Sequence, residues 1–133
     1  MLTIPRPFFN QMIDHLKACY PLEGCGLLAG NEKGVVTAVY PIDNILKSPA
    51  AYEMDPQQQI ETLLALEATG WLLLAIYHSH PQGPAHPSAR DIALAFYPEA
   101  LHIIVSLRDK MTPRVRAFQI LEQEVVERKI KVT

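Results

Sequence analysis

The sequence predicts an α/β fold in which helices pack against a mixed β-sheet. Patterns typical of helices and of strands alternate along the chain, and this order places helices on a sheet. Residues 71–77 are continuously apolar, which is typical of a strand that is covered on both faces. The chain has 133 residues, of which 49% are hydrophobic and 20% charged. Because this is the size and composition of one globular domain, we expect residues 1–133 to form a single domain.

The first half of the chain begins with a helical pattern. Apolar residues recur three and four positions apart from Phe9 to Tyr20, and Pro21 ends the pattern, so a helix is predicted from about residue 7 to residue 20. After it come a short strand within EGCGLLAG that reaches Gly30, a turn at 31–34, a second strand at 35–40 and a long, mostly extended connection at 41–54.

The second half opens with a helix whose start and end both have sequence signals. Asp55 suits the N-cap position, Pro56 the first helical position, and Gly70 the end of the helix. Its inward-facing residues are predicted to be Ile60, Leu63, Leu64 and Leu66. The remaining segments are predicted to be a strand at 71–77, a loop at 78–87, a short helix at 88–97, and strands at 102–107, 114–120 and 125–132.

Composition and charge exclude several classes of protein. The 12 Lys and Arg residues and 14 Asp and Glu residues give a net charge of −2, without the clustered basic face that binds nucleic acids. Two cysteines are too few for a disulfide-stabilised secreted scaffold or a thiolate zinc site. The sequence has no signal-peptide pattern and no apolar stretch of ~20 residues that could span a membrane. We therefore expect a soluble, cytoplasmic protein that binds neither nucleic acid nor membrane.

The segment HSHPQGPAHPSARD, residues 78–91, carries the clearest chemical signal. Alternate side chains of a strand share a face, so His78 and His80 are predicted to point the same way and Ser79 the opposite way. A proline-rich loop then leads to a helix with Asp91 in its first turn. Two imidazoles and one carboxylate are zinc ligands, and a site with three protein ligands keeps a fourth position for water. This pattern is typical of catalytic zinc, whereas structural zinc has four protein ligands.

Glu23 is the candidate for a general base. A zinc hydrolase needs a group that accepts the proton of the activated water. Glu23 lies at the start of the first predicted strand, before Gly24-Cys25-Gly26, whose glycines allow the backbone to pass close to another element. Other mechanisms fit less well, because the sequence has no His-Glu-x-x-His pair, no Pro-Cys-x-x-Cys motif of the zinc deaminases and no nucleophile elbow.

Together these motifs resemble the signature of the JAMM (MPN-plus) zinc metallopeptidases. In this chain HSHP is followed by six residues and then Ser-x-x-Asp, and a glutamate lies upstream in EGCGLLAG. The resemblance covers nearly the whole chain and is strongest to the short, single-domain prokaryotic members. It implies that His78, His80 and Asp91 bind one zinc ion per chain. It further implies that Glu23 is the general acid/base, that Ser88 helps to stabilise the oxyanion, and that the fold is a mixed sheet flanked by helices, related to cytidine deaminases.

The resemblance also implies a substrate class. Members of the family hydrolyse peptide or isopeptide bonds that follow the flexible C-terminal tail of a ubiquitin-like protein. Short prokaryotic members act on ubiquitin-like sulfur-carrier proteins, from which they remove a C-terminal cysteine or an attached protein. The chain lacks the long insertions with which eukaryotic deubiquitinases hold ubiquitin, so ubiquitin itself is disfavoured as a substrate. The alternative function is a non-catalytic MPN-type module that binds a ubiquitin-like protein or a partner subunit.

Several polar residues have a second interpretation. Ser88 and Asp91 also have the spacing of a helix capping box; both roles can hold for Ser88, and metal ligation is favoured for Asp91. His86 is interpreted as a solvated loop residue in preference to a pocket residue. Cys25 is interpreted as a small buried residue in preference to a neighbour of the metal. A weaker candidate for lining a substrate groove is Tyr52, and two histidines are interpreted as structural, His15 on the polar side of the first helix and His102 at the start of a strand.

Overall fold

The computed structural model describes residues 1–133 and contains three helices and eight strands. The helices are α1 (Arg6–Cys19), α2 (Pro56–Ala68) and α3 (Ala89–Ala93). The strands are β1 (Leu2–Ile4), β2 (Cys25–Gly30), β3 (Val36–Ile42), β4 (Leu72–His80), β5 (Leu101–Ser106), β6 (Arg114–Leu121), β7 (Glu124–Arg128) and β8 (Ile130–Val132). No helix is long and apolar enough to cross a bilayer.

Six strands form one mixed sheet in the order β3-β2-β4-β5-β6-β7, and β1 and β8 form a separate parallel pair. Strand β4 lies near the middle of the sheet, antiparallel to β2 and parallel to β5. The connection between the parallel strands β4 and β5 contains α3. This mixed sheet with flanking helices confirms the predicted fold class.

Side chains alternate between the two faces of β4 and divide the core in two. Tyr77 belongs to a cluster of 14 buried residues that includes the inner face of α1. Ile76 points to the other face, where it packs in a second cluster with Leu63 of α2. By the same alternation, His78 and His80 continue the second face. The apolar pattern that predicted a strand covered on both faces is therefore confirmed.

Strand β4 continues beyond its predicted end at Tyr77. The backbone N–H of Ser79 donates to the carbonyl oxygen of Gly24 at 3.0 Å, and His80 still pairs with β5. Because neighbouring strands satisfy these backbone groups on both sides, the loop predicted at 78–87 begins three residues later.

Two segments in the last third of the chain differ from the prediction. The helix predicted at 88–97 is limited to Ala89–Ala93, because Tyr97 leaves the helical path to pack beneath α2, where Gln59 donates to its hydroxyl at 3.3 Å. The strand predicted at 125–132 is two strands, β7 and β8. Strand β8 leaves the main sheet to pair with β1, a strand that the sequence did not predict, and this pairing satisfies the backbone groups of both.

Helix α2 begins as predicted but buries fewer side chains than predicted. Asp55 caps it by accepting from a backbone N–H of the first turn at 3.0 Å. Leu66 is 5% exposed and Leu63 packs against the sheet, whereas Ile60 and Leu64 are 58% and 61% exposed. Leu63 and Leu66 form the stripe of the helix that meets the sheet. Because each residue turns the helix by ~100°, Ile60 and Leu64 point a quarter to a third of a turn away from this stripe. The prediction that they face inward was wrong.

Helix α1 contacts the sheet through a histidine that was predicted on its polar side. His15 Nδ1 lies 2.8 Å from the hydroxyl oxygen of Tyr77, and Cys19 Sγ lies 3.5 Å from His15 Nε2. Tyr77 is fully buried, and a buried phenol needs a hydrogen-bond partner. This requirement directs His15 inward, and its interpretation as a structural residue agrees with the contact.

Candidate metal centre

The end of strand β4 presents two imidazoles on one face. The Nε2 atoms of His78 and His80 lie 3.1 Å apart, and both side chains are at least nine-tenths buried. Ser79 points to the opposite face, where its Oγ accepts from the backbone N–H of Gly24 at 2.9 Å. The alternation predicted from the sequence is therefore observed.

A carboxylate reaches the same point from helix α3. Oδ2 of Asp91 lies 3.1 Å from Nε2 of His78 and 3.1 Å from Nε2 of His80. The intervening loop contains Pro81, Pro84 and Pro87. Three donor atoms from two elements thus form a triangle with sides of 3.1 Å at the carboxyl end of β4, the end at which open α/β sheets bind ligands.

Asp91 is held in this position by the start of its own helix. The backbone N–H of Ser88 donates to Asp91 Oδ2 at 2.9 Å, and the backbone N–H of Asp91 donates to Ser88 Oγ at 3.1 Å. This is a complete capping box. The capping and ligand roles of Asp91, which the sequence presents as alternatives, are compatible in the structure.

Glu23 lies beside the two histidines and is 5% exposed. A ligand atom of Glu23 and one of each imidazole all lie within 4.8 Å of one another. The backbone of Glu23 is fixed on both sides, because its N–H donates to the carbonyl oxygen of Ser48 at 2.9 Å and its own carbonyl oxygen accepts from Asn44 Nδ2 at 3.0 Å.

The glycines after Glu23 have the spatial role that the sequence suggested. A Cβ on Gly24 would lie 2.8 Å from Leu16 Cδ2 of α1, and a Cβ on Gly26 would overlap the ring of Tyr77. Larger residues at these positions would push β2 away from β4 and α1. The close approach brings the carboxyl of Glu23 to the end of β4.

The environment shifts the pKa values of the clustered groups. Burial raises the pKa of the Glu23 carboxyl to about 7, although the nearby charge of His80 opposes this. Burial lowers the pKa of His78. Burial alone would raise the pKa of Asp91, but hydrogen bonds to His78 and His80 hold it well below its usual range. Burial alone would lower the pKa of His80, but its hydrogen bonds to Asp91 and Pro84 raise it. Near neutral pH the cluster therefore contains the Asp91 carboxylate, the neutral imidazole of His78, a His80 ring that binds a proton more tightly than usual, and a Glu23 carboxyl close to its titration point.

The donor set fits a zinc ion. Ligand atoms about 2.0–2.1 Å from a tetrahedral zinc ion lie about 3.3 Å from one another, close to the 3.1 Å separations here. His80 Nδ1 donates to the carbonyl oxygen of Pro84 at 2.8 Å, so the second proton of the ring is on Nε2, directed at Asp91 Oδ2. A cation that displaces this proton would find a lone pair of Nε2 and an oxygen of Asp91 directed at it. A cation satisfies both acceptors. Glu23 Oε1 and His78 Nδ1 are buried without a hydrogen-bond partner, as is common where a ligand completes a site.

A cavity of about 260 Å³ lies next to these residues. Tyr52 lines it, as the sequence allowed, and its ring stacks on His78 with centroids 4.5 Å apart. Besides Tyr52, His78 and Asp91, the polar residues that line the cavity are Glu53, Gln59, Arg90, Tyr97 and His102. From the sequence, His102 is interpreted as structural and Arg90 is assigned no role, because only the folded chain brings these segments together.

Two residues with alternative interpretations lie outside the donor set. Cys25 is fully buried, its Sγ donates to the carbonyl oxygen of Ile42 at 3.4 Å, and burial raises its pKa to about 12. It is therefore a neutral, buried thiol. His86 is exposed, and its ring lies edge-on to Phe118 with centroids 5.4 Å apart.

A family model described as prokaryotic homologs of the JAB domain matches residues 5–121 of the chain. The chain belongs to this family. The match covers most of the chain, so the resemblance to the JAB/MPN/JAMM family that the motifs indicated is confirmed.

Two relatives are similar over nearly the whole chain. The CysO-cysteine peptidase of Mycobacterium tuberculosis is 33% identical over 133 residues, which are 99% of this chain and 91% of the relative. The probable TtuB-protein conjugate cleaving protease of Thermus thermophilus is 42% identical over 127 residues, which are 95% of this chain and 80% of the relative. Both relatives are named for peptide-bond cleavage, which supports a JAMM-type hydrolase.

Solved structures show the same fold. Protein DSY2949 from Desulfitobacterium hafniense superposes with a TM-score of 0.91 and 36% identity over 100% of this chain and 93% of that protein. The JAB1/MPN domain protein AF2198 from Archaeoglobus fulgidus superposes with a TM-score of 0.64 and 20% identity over 99% of both chains. At that identity the second likeness concerns the fold alone.

Proposed function

We propose that this single-domain protein is a zinc-dependent metallopeptidase that hydrolyses the peptide or isopeptide bond after the C-terminal tail of a ubiquitin-like or sulfur-carrier protein. The observation that carries the proposal is the triangle of donor atoms from His78, His80 and Asp91, each 3.1 Å from the others, with the buried Glu23 beside it. The names of the two relatives, a CysO-cysteine peptidase and a protease for TtuB–protein conjugates, support the substrate class.

His78, His80 and Asp91 would hold one zinc ion. A bound zinc ion acts as a Lewis acid on a carbonyl group and lowers the pKa of a water molecule toward ~7. Hydrogen bonds from neighbouring groups orient two of the ligands, because the carbonyl oxygen of Pro84 accepts from His80 Nδ1 and the backbone N–H of Ser88 donates to Asp91 Oδ2. Such contacts fix the direction of the donor atoms.

Glu23 is the proposed proton carrier. A general acid/base works best when its pKa lies near the working pH, because it must both accept and release a proton. Burial gives the Glu23 carboxyl a pKa of about 7, and its Oε1 has no hydrogen-bond partner in the protein. The carboxyl can accept a proton from the attacking water and donate it to the leaving amine.

Ser88 is the proposed oxyanion donor. Its Oγ accepts from the backbone N–H of Asp91, and this cap uses only an acceptor site of the hydroxyl. The O–H remains available to donate to the negative charge that develops on the carbonyl oxygen. Ser88 is exposed, so a substrate carbonyl can reach it.

The alternative is a non-catalytic module that binds a ubiquitin-like protein or a partner subunit. Such a module could use the exposed Ile60 and Leu64 of α2. It has no need for a buried glutamate with a raised pKa beside three converging donor atoms. The enzyme is therefore the better-supported function.

Purified protein tests the proposal directly. We expect about one zinc per chain, and cleavage of a carrier protein that bears either one extra C-terminal residue or a lysine-linked protein. A chelator should abolish cleavage and added zinc should restore it. Stoichiometric zinc with tight carrier binding but no cleavage would favour the binding module, and a protein that takes up no zinc would contradict both the metal and the mechanism.

A further inference from the structure

The cavity beside the candidate metal centre ends against the sheet. His78 and Asp91 form one side of it, and its floor is formed by Ile76, Ile104 and Ile120 of strands β4, β5 and β6. These three side chains are 5%, 0% and 3% exposed. The sheet therefore forms one wall of the cavity. A volume of about 260 Å³ has room for one amino-acid residue and not for a folded protein.

A buried polar group also lines the cavity. His102 lines the cavity, is 6% exposed, and its Nε2 is buried without a hydrogen-bond partner. Burial lowers the pKa of His102 to about 4, so the ring is neutral near pH 7. Buried polar groups are nearly always paired in native proteins. A small hydrogen-bonding group on a bound ligand would pair this nitrogen.

A positive charge lies at the rim. Arg90 lines the same cavity and is exposed. The ion pairs of the protein join the metal-site histidines to Asp91 and Arg116 to Glu127, and none involves Arg90. The guanidinium groups of Arg108 and Arg128 also hydrogen-bond to other residues. The acidic side chains of the cavity are Asp91 and Glu53, and neither makes an ion pair with Arg90. Arg90 is thus an unpaired planar donor beside the reaction site, and such a group suits a carboxylate.

We infer that this cavity binds the leaving residue of the substrate, a single amino acid with a small hydrogen-bonding side chain, and that Arg90 binds the free α-carboxylate of that residue. The inference rests on the proposed peptidase function. A carboxylate beside the scissile bond can belong only to the leaving side, because the carrier's terminal carboxyl is part of the bond. Hydrolysis adds one water, breaks the amide C–N bond, and yields the carrier carboxylate and a free amino acid.

This arrangement distinguishes between two kinds of substrate. In a carrier extended by one residue, the leaving residue has an α-carboxylate within reach of Arg90. In a lysine-linked conjugate, the leaving group continues into a second protein and places no carboxylate there. The inferred site therefore makes the protein selective for removal of one C-terminal residue, with serine or cysteine preferred because either side chain can hydrogen-bond to Nε2 of His102.

Matched substrates test the role of Arg90. A carrier protein extended by one serine is prepared with a free carboxylate and as the carboxamide, which keeps the side chain and removes the charge. The wild-type zinc protein should cleave the acid with a kcat/KM roughly 10- to 100-fold higher, the usual worth of a charged hydrogen bond. Arg90→Gln should bring this ratio close to one by slowing cleavage of the acid alone. Arg114→Gln, which removes an exposed arginine outside the cavity, should keep the ratio.

Two results would overturn this role. One is equal cleavage of acid and carboxamide by the wild type, and the other is an unchanged ratio in Arg90→Gln. For His102, an extension of serine should be cleaved roughly 2- to 10-fold better than one of alanine, as expected for a neutral hydrogen bond. His102→Leu should remove that preference and leave the acid-to-amide ratio intact. No preference for serine in the wild type would remove His102 from the site.

A binding measurement separates failure of the inference from failure of the proposed function. The zinc protein is titrated with L-serine and with L-serinamide and followed by NMR of the Arg90 Nε–H and the backbone amides of residues 94–97. L-serine should shift these signals and L-serinamide should not. In Arg90→Gln, L-serine should no longer shift the backbone amides of residues 94–97. Shifts without any hydrolysis would support the cavity and reject the peptidase. Hydrolysis without serine-dependent shifts would support the peptidase and reject the cavity assignment.

Discussion

The two faces of the sheet share the same strands but are built in opposite ways. On the face under α1, 14 buried residues form one continuous cluster, and the hydroxyl of Tyr77 is paired with His15. On the other face the buried residues are divided into clusters of five and three. Three of the four buried side-chain atoms without a partner belong to this second face, namely Glu23 Oε1, His78 Nδ1 and His102 Nε2.

The difference predicts a division of roles, in which one face of the sheet stabilises the fold and the other carries the chemistry. A buried polar group without a partner costs about 1–3 kcal/mol, and a domain is stable by only about 5–15 kcal/mol in total. A face with three such groups therefore depends on the packing of the opposite face. We expect substitutions on the α1 face to change stability and substitutions on the second face to change activity.

The largest expected effect on activity comes from the metal ligands. The double substitution His78→Ala and His80→Ala leaves one of three donors, which is too few for a stable zinc site. Activity should fall by roughly 10⁴-fold or more, because the metal contributes several kcal/mol to the transition state. The chelator-treated variant should unfold in urea close to the chelator-treated wild type. Metal analysis that still finds one zinc per chain in this double variant would contradict the assignment of the ligands.

Glu23→Gln separates proton transfer from metal binding on the same face. The amide keeps the shape of the side chain but cannot act as a base, so kcat should fall by roughly 10²–10⁴-fold. Zinc content and substrate binding should change little, since Glu23 is not among the proposed ligands. Loss of zinc together with activity would make Glu23 a ligand, and near-normal turnover would place the base elsewhere, with His86 the next residue to test.

Met12→Ala tests the opposite face. Met12 is fully buried in the cluster under α1, and truncation of such a residue costs about 2–5 kcal/mol of unfolding free energy. At a temperature where the variant is still folded, kcat should remain within about twofold of the wild type. Urea unfolding and steady-state kinetics on one preparation measure both quantities. A large fall in kcat without a fall in stability would show that the two faces are not separated.

The smallest expected effect is the acid response of His102. Burial lowers its pKa from 6.5 to about 4, so between these pH values the unfolded chain binds a proton that the folded chain excludes. Its contribution to stability is complete above pH 6.5 and is lost as the pH falls toward 4. His102→Leu should reduce this loss by about 1–3 kcal/mol in urea unfolding of chelator-treated protein. The exposed His86, changed to Leu, is the control, and an equal reduction in that variant would contradict the assignment.

The residues whose positions were predicted correctly from the sequence are those whose positions depend on nearby residues in the chain. His78 and His80 share a face because strands alternate, and Asp91 lies in a first helical turn because Ser88 caps it. The glycines after Glu23 predicted a close approach of backbone to another element, and in the structure they lie against α1 and β4. These rules act over a few residues, so one sequence is sufficient to read them.

The residues that the sequence misplaced depend on distant partners. His15 turns inward because of Tyr77, which is 62 residues away. Ile60 and Leu64 have the right spacing for a buried helix face, but the sheet meets only the neighbouring stripe of α2. The cavity joins Arg90 and His102 with side chains of the 41–54 connection. The hydrophobic periodicity of one segment does not reveal these long-range contacts, because they depend on how the helices and strands pack together.

The proline-rich loop between β4 and α3 has a consequence for the entropy of the site. His80 and Asp91 are 11 positions apart, and bringing them together closes a loop, which costs conformational entropy. Pro81, Pro84 and Pro87 each fix one backbone torsion before the loop closes, so the open chain has fewer conformations to lose. The affinity for the proposed zinc ion would thus depend on three residues that donate no atom to it, because they reduce the conformational entropy of the open chain.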